Sequence, residues 1–326
     1  MKDKPSDLER LIHESLEQLG WTADAASIAD RVLRLNIGLP LEDEFAIISG
    51  WLGQCELIHK LDQQQFPATS KDFYQVPDLL ANFNVRGSGN TTVLIEVKSC
   101  EKNVLSFRPD YISKLRYYGK LLGLPVLIAW KRHGIWSLVH LDVFSKANKN
   151  FNLNFNDAMR NSLMGKVLGD FSYTPRVNSG VHVSFKKEKM IETIEADEGI
   201  QENWDAVIDD VYFTSGDYEK LRNLSPIAQQ VFHSWDLIAA ESHSDSHVAM
   251  HYTIDEESGM FAHMALTRLL SFHGRGDQVH WRRHLQHGAA ISSISNYRRG
   301  IEENLKAGIV KYIFDIEPVN VPEFLN

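Results

Sequence analysis

The sequence predicts an α/β domain followed by a mainly helical domain, and three observations lead to this prediction. Short apolar runs, such as the one at 93–97, have the length and composition of buried strands. Amphipathic helical patterns alternate with these runs up to about residue 145, and from Ser225 onward the pattern is helical. The 326 residues divide into N-terminal helices over 1–40, the α/β domain over 41–187, an acidic connector over 188–224 and the helical domain over 225–326.

Three helices are predicted before the first strand. Ser6 as an N-cap and Gly20 as a stop predict the first over 7–19, and the second is predicted over 22–35. The third, over 41–61, carries a stripe of apolar residues at helical spacing.

A hairpin is predicted next, because the turn sequence "RGSGN" lies between strands at 74–81 and 92–98. An amphipathic helix, "RPDYISKLRYYGKLLG", follows and is closed by Gly123. Two apolar strands, "LPVLIAWK" and "IWSLVHLDVF", complete the predicted sheet.

Composition excludes several classes of protein. The two cysteines, Cys55 and Cys100, are too few for a disulfide framework or a cysteine-based zinc site, and they fit a reducing compartment. The N-terminus has no apolar signal region, and no run approaches the roughly 18 apolar residues of a membrane span. We therefore expect a cytoplasmic protein without a membrane partner.

The net charge of −9 argues against a chain that coats nucleic acid non-specifically. Residues 188–220 hold 11 acidic and 2 basic residues, and this difference of 9 equals the excess of acidic over basic residues in the whole chain. Residues 98–132 hold 8 basic and 2 acidic residues, so a locally basic zone remains. Cutting or binding would then be targeted by a partner, not by bulk electrostatics.

The chemistry is predicted to lie at the strand that contains Glu96 and Lys98. Successive side chains alternate faces in a strand, so these two share a face, and the hairpin can bring Asp78 beside Glu96. Buried charges of this kind need a partner or a metal. Asp78, Glu96 and the backbone carbonyl of Val97 form a suitable partial shell for Mg²⁺, for which Mn²⁺ can substitute. Lys98 could polarise a water or offset charge on a phosphorane-like transition state.

Pro77-Asp78 followed by Glu96-Val97-Lys98 resembles the PD-(D/E)xK, or restriction-endonuclease-like, nuclease superfamily. The resemblance covers roughly 40–145. It implies a mixed central sheet flanked by helices, metal-dependent hydrolysis of phosphodiester bonds and, often, a homodimer. The alternative is two surface charges on an edge strand beside a solvated turn.

A further acidic residue is expected from the helix before the motif, as the resemblance implies. Glu44 lies inside the apolar stripe of that helix and is the first candidate for the catalytic and metal site, with Glu42 second. The alternative role for Glu44 is a carboxylate favoured by the helix dipole. The helix after Lys98 offers Lys114 and Arg116 for nucleic-acid phosphate, or as solvated surface charges.

The C-terminal pattern of three helices and a β segment resembles a winged helix-turn-helix. Gly288 would lie at the turn before the third helix, and Asn296, Arg298 and Arg299 near its exposed start suit contacts with DNA. A plain three-helix bundle, or a module for protein docking or dimerisation, gives a similar pattern.

Histidines are concentrated near the start of this region. His243, His247 and His251 are spaced four apart, as zinc ligands on a helix would be, but "ESHSDSHVAMHYTIDEESG" contains poor helix formers. Surface or loop histidines are the favoured interpretation.

Three functions fit these patterns. The first is a Mg²⁺-dependent endonuclease acting on double-stranded DNA with a protein partner or as a homodimer, as in transposon-end cleavage or phage defence. The second is an RNA-cleaving effector. The third is a non-catalytic adaptor that keeps the nuclease fold.

Overall fold

The computed structural model describes residues 41–196, 199–273 and 297–326, together with Leu16, which is helical. The predicted helices over 7–19 and 22–35 otherwise lie outside the described residues. The chain forms two compact units. Unit 1 contains the described residues up to Gly169 and the segment Glu317–Asn326, and unit 2 contains those of Asp170–Asp277 and Ser292–Ile316. The division therefore falls at Gly169, earlier in the chain than the predicted boundary at 187.

Unit 1 is an α/β arrangement built on strands β1 to β8. The helices are α1 (41–51), α2 (Pro109–Leu122) and α3 (Phe155–Arg160), and Met164–Leu168 is a π-helical turn. The strands are β1 (Cys55–Lys60), β2 (Leu79–Val85), β3 (Gly89–Ser99), β4 (Val104–Phe107), β5 (Val126–Arg132), β6 (Ile135–His140), β7 (Ser145–Ala147) and β8 (Asn150–Asn154).

The central sheet of unit 1 is mixed and has the order β1-β2-β3-β5-β6. Only β3 and β5 pair in parallel, and α2 connects them, as a crossover between parallel strands requires. One face of the sheet packs with α1 around Ile95 and Phe45, and the other packs with α2 around Leu94 and Ile112. This confirms the predicted α/β class with a mixed central sheet flanked by helices. A smaller antiparallel sheet, β4-β8-β7, completes the unit.

The helix predicted over 41–61 ends at residue 51, so its predicted length is wrong. Gly53 has a φ of +97°, a left-handed conformation that favours glycine and ends the helical path. The chain then forms β1, which pairs with β2 through contacts such as Ile58 with Ala81. Long-range strand pairing therefore overrides the apolar spacing that continued to Cys55.

Unit 2 is built mainly from antiparallel strands. Its strands are β9 (Phe171–Pro175), β10 (Gly180–Ala196), β11 (Gly199–Thr214), β12 (Lys220–Leu221), β13 (Ile238–His243), β14 (His247–Thr253), β15 (Met260–Phe261) and β16 (Val310–Asp315). Its described helices are α4 (Pro226–Gln230), α5 (Ala262–His273) and α6 (Tyr297–Lys306). The sheets have the orders β12-β11-β10-β14-β13 and β15-β9-β16.

The acidic segment 188–224 is not the predicted connector. Most of it belongs to the long β10–β11 hairpin, in which Gly180 pairs with Thr214 and Met190 with Trp204. The segment is thus part of a five-stranded sheet. Its exposed carboxylates lie on strands that solvent reaches.

The C-terminal region was predicted to be mainly helical and winged-helix-like. Over its described residues it is built mainly from strands, so this prediction is wrong there. Strands β13 and β14 belong to the larger sheet, and β16 pairs with β9, far earlier in the chain. The predicted turn at Gly288 and the start of its third helix lie outside the described residues. His243, His247 and His251 lie on β13 and β14, not on a helix.

No helix within the described residues is long and apolar enough to cross a membrane.

Candidate active site

The position of Asp78 follows from where β2 begins. Strand β2 starts at Leu79, which pairs with Ile95 on β3, so Asp78 comes next to Glu96. Pro77 has no backbone N–H and cannot extend the ladder. The backbone N–H of Val97 instead donates to Asp78 Oδ2 at 2.7 Å. The carboxylate of Asp78 is therefore held against the backbone of the strand that carries the other charges.

Alternation along β3 separates its apolar and charged side chains. Ile95 and Val97 belong to the cluster that faces α1. Leu94 belongs to the cluster on the other face, and Glu96 and Lys98 share its parity. Glu96 and Lys98 therefore lie on one face of the sheet, as predicted, and α2 covers that face.

Glu96 is almost fully buried, with 1% exposure. Its Oε1 accepts hydrogen bonds from Lys98 Nζ and from the hydroxyl of Tyr111. Its Oε2 is buried without a hydrogen-bond partner. Burial, followed by the nearby charge of Asp78, raises the pKa of Glu96 to about 7, although Lys98 opposes this shift. Glu96 is thus a buried carboxylate with one free oxygen.

Lys98 places its ammonium among three oxygens. Nζ donates to Glu96 Oε1 and, at 3.1 Å, to the carbonyl of Val97, and lies 3.9 Å from Asp78 Oδ2. Burial alone would lower the pKa of Lys98, but the charges of Glu96 and Asp78 outweigh it, so the pKa is raised. Lys98 is therefore a charged group at neutral pH.

Tyr111 joins the site from the first turns of α2. Its hydroxyl donates to Glu96 Oε1, and its ring stacks on Phe107 with centroids 5.5 Å apart. Burial and the charge of Glu96 raise the pKa of Tyr111, so the hydroxyl keeps its proton. Tyr111 lies two residues after Pro109, where α2 begins, and its place on the helix that follows Lys98 was the sequence signal for this contact.

Glu44 lies on the opposite face of the sheet from Glu96. Its Oε1 and Oε2 are each 2.6 Å from Lys131 Nζ, and Oε1 also accepts from Trp136 Nε1 at 3.0 Å. Trp136 belongs to the cluster that faces α1, and Lys131 has the same parity as Ala129 of that cluster. The structure therefore does not bring Glu44 together with Asp78, Glu96 and Lys98.

Glu42 is the acidic residue of α1 that senses the Asp78 charge. Its pKa is raised to about 7, first by burial and then by Asp78, while Lys60 opposes the shift. Lys60 Nζ lies 3.0 Å from Glu42 Oε2 and 2.7 Å from Asp43 Oδ1. Lys60, at the end of β1, was not identified from the sequence.

The two basic residues predicted on α2 already have protein partners. Lys114 Nζ donates to the carbonyl of Lys71 at 3.0 Å and lies 3.3 Å from Asp110 Oδ2. Arg116 Nη2 donates to Asp142 Oδ1 at 3.1 Å. Their role in nucleic-acid binding stays a prediction.

The predicted C-terminal contacts lie in unit 2. Arg298 donates to Glu302 Oε1 at 3.1 Å and to Asp315 Oδ1 at 2.8 Å, so two carboxylates compensate its charge. Arg299 is exposed on α6, whereas Asn296 lies outside the described residues.

The donor set around Lys98 consists only of oxygens. Within the described ranges, no three histidine, cysteine or acidic side chains are grouped as a metal centre. The cluster instead offers two carboxylates, of Asp78 and Glu96, and the carbonyl of Val97. The free Oε2 of Glu96 and a lysine ammonium already among these oxygens fit a site for a hard cation.

Comparison with known proteins gives a family match. The family model described as archaeal Holliday junction resolvase (Hjc) matches residues 67–163. Among solved structures, the Holliday junction resolvase Hjc of Archaeoglobus fulgidus, an archaeal hyperthermophile, is 19% identical, with 36% of this chain and 89% of that chain covered and a TM-score of 0.30. No protein with a curated description matches the chain. The family match confirms the predicted resemblance to PD-(D/E)xK nucleases for the segment that contains Asp78, Glu96 and Lys98.

Proposed function

We propose that this chain is a divalent-metal-dependent endonuclease that hydrolyses DNA phosphodiester bonds at branched structures. The observation that carries the proposal is the buried carboxylate of Glu96. Its Oε2 has no hydrogen-bond partner, although Asp78 and the Lys98 ammonium belong to the same cluster. Burying a carboxylate that binds no cation would only lower the stability of the folded protein. The match of 67–163 to a junction-resolvase family supports the reaction class.

Asp78, Glu96 and the carbonyl of Val97 would hold the cation, with Glu42 as the acidic contribution from α1 in place of Glu44. Mg²⁺ suits this all-oxygen set and Mn²⁺ can replace it; when bound, the ion would activate water and neutralise phosphate charge. The raised pKa of Glu96, about 7, means that a cation and a proton compete for this carboxylate near neutral pH.

Lys98 supplies positive charge and not a base, because its pKa is raised. Its side chain is 30% exposed, so the ammonium can approach a substrate phosphate from the same cluster. In the hydrolysis, water adds to phosphorus and one P–O ester bond breaks. Lys98 would stabilise the negative charge that develops on the phosphoryl oxygens. Before substrate binds, the same ammonium partly compensates Asp78 and Glu96.

Branched DNA is the proposed substrate class, and a homodimer or a protein partner would position two cuts. A match to resolvases supports the substrate. The net charge of −9 supports recognition of shape over general attraction to duplex phosphate.

The test is cleavage of an end-labelled four-way DNA junction, with the matched linear duplex and a single-stranded RNA beside it, in Mg²⁺ or Mn²⁺. We expect junction cleavage by the wild type and at least about a hundredfold loss in Asp78→Asn, which removes the charge of a proposed cation ligand, and in Lys98→Met, which removes the ammonium at the reacting phosphate. Lys149→Met, at an exposed turn, is the matched control and should cut normally.

Two outcomes would contradict the proposal. Activity that survives both site substitutions would mean that the site is elsewhere. Cleavage of RNA alone would replace the DNA substrate with the alternative effector function.

A further inference from the structure

The segment directly before Asp78 exposes two large aromatic side chains. In the aromatic loop, residues 62–76, Phe66 is 87% exposed and Phe73 is 62% exposed. Single exposed apolar side chains are normal on protein surfaces, so the observation that counts is that two exposed phenyl rings lie in one short segment that ends beside Asp78.

The aromatic loop is held in place by hydrogen bonds. Ser70 Oγ donates to Gln65 Oε1 at 3.2 Å, and the backbone N–H groups of Phe73 and Tyr74 donate to the Ser70 carbonyl at 3.0 and 2.9 Å. Gln63 Nε2 donates to the carbonyl of Pro77 at 3.1 Å. The two rings therefore lie on a turn that is stabilised by internal hydrogen bonds and is hydrogen-bonded to Pro77, the residue before Asp78.

The aromatic loop also contacts the helix that carries Tyr111. Lys114 Nζ donates to the Lys71 carbonyl at 3.0 Å, and Gln75 N donates to the Lys114 carbonyl at 3.4 Å. Lys114 is three residues after Tyr111, about 4.5 Å along the helix axis. Since the Tyr111 hydroxyl reaches Glu96, the loop lies at the rim of the candidate active site.

We propose that Phe66 and Phe73 stack on nucleobases of the strand that lies in the active site. This inference rests on the proposed function and names the part of the substrate that the loop recognises: bases with an open face, as at a branch point. Aromatic side chains stack on every base type, which suits recognition of structure over sequence. Between the rings, exposed Thr69, Lys71 and Asp72 make the surface polar, unlike the continuous apolar patch that protein docking favours.

The experiment uses the full-length chain in EDTA, so that binding is separated from cleavage. The probe is a four-way junction with 2-aminopurine at the branch point, and binding is followed by anisotropy of a fluorescein label. We expect the Phe66→Ala/Phe73→Ala variant to bind at least about tenfold more weakly and to lose the 2-aminopurine signal change. Tyr117→Ala/Leu121→Ala, which removes two exposed side chains from α2 (56% and 61% exposed), is the matched control and should bind normally.

The outcomes separate this inference from the proposed function. A loop variant that binds and cuts the junction like wild type overturns the stacking role while the nuclease stands. A loop variant that binds normally but loses self-association in sedimentation overturns it in favour of a protein contact. A wild type that neither binds nor cuts nucleic acid overturns both proposals.

Discussion

At the residue scale, the two oxygens of Glu96 have different surroundings, and this difference defines the site. Oε1 accepts from Lys98 and Tyr111, whereas Oε2 is buried and free. The proximity of Asp78, Glu96 and Lys98 could be predicted from the sequence, because side chains alternate along one strand and one hairpin pairs that strand with its neighbour. The hydrogen bond from Tyr111 to Glu96 could not be predicted, because it depends on how α2 lies across β3.

Tyr111→Phe should weaken the proposed binding of Mg²⁺ or Mn²⁺ about tenfold, since contacts to a ligating carboxylate orient it and Glu96 is the proposed ligand. The ring can still stack on Phe107, so the fold should be kept. Calorimetric titration with Mn²⁺ measures the effect directly. Tyr117→Phe, an exposed tyrosine on the same helix, is the control. Equal affinity in Tyr111→Phe and wild type would mean that the hydroxyl does not orient Glu96.

At the scale of elements, α1 shows what periodicity can and cannot predict. The apolar stripe correctly places Glu44 on an inward face, but its donors come from Lys131 and Trp136, 87 and 92 residues later. Sequence spacing cannot show whether a buried carboxylate meets a cation or a lysine. Lys131 breaks an apolar strand, as Glu96 does, and was a signal of equal strength.

Glu42→Gln and Glu44→Gln should therefore have different effects. Glu44→Gln breaks the buried pair with Lys131 and should destabilise the protein by about 3 kcal/mol while metal affinity is retained. Glu42→Gln should weaken metal binding. It should also stabilise the metal-free protein at pH 8, because it removes a buried carboxylate whose pKa is raised to about 7. Urea unfolding and Mn²⁺ titration measure the two properties, and a reversed pattern would restore Glu44 to the metal site.

The long hairpin of unit 2 was missed for a different reason. Strands β10 and β11 have register shifts at 184/185, 187/189 and 190/192, and each shift interrupts the alternation by which a strand is recognised. Exposed acidic residues then made the segment resemble a connector. The pairing itself joins residues up to 34 positions apart, Gly180 with Thr214, and is a property of the sheet.

His182 on β10 predicts acid sensitivity of that sheet. Burial, then His251 and Lys220, lower its pKa to about 4 from a usual 6.5, and Thr214 and Tyr212 also face the ring. Its stabilising contribution is present above pH 6.5 and is lost as the pH falls towards 4. In His182→Leu, the fall in unfolding free energy between pH 7 and pH 4 should be smaller by about 1 kcal/mol, allowing for solvent screening. An unchanged pH dependence in His182→Leu would refute this assignment.

At the scale of the whole molecule, the two units differ in how much of each was predictable. Unit 1 places its strands and crossover helix close together in sequence, and its class was predicted from the pattern. Unit 2 pairs β9 with β16 across more than 130 residues. Local propensity says nothing about such pairing, so helices α5 and α6 suggested a helical domain that the sheets contradict.

Each unit has its own buried core, so damage to unit 2 should leave the proposed metal binding of unit 1 intact. The buried pair of Asp170 and His263, with Oδ2 2.6 Å from Nδ1, is the sharpest place to test this. Asp170→Ala strands a buried imidazole and should cost about 3–5 kcal/mol of unfolding free energy, while Asp255→Ala, at an exposed carboxylate, should cost almost nothing. Denaturant unfolding measures the loss, and Mn²⁺ titration in the absence of denaturant should give wild-type affinity for both variants. Loss of metal binding in Asp170→Ala alone would mean that the proposed site in unit 1 depends on the integrity of unit 2, and that the proposed nuclease activity requires the whole chain.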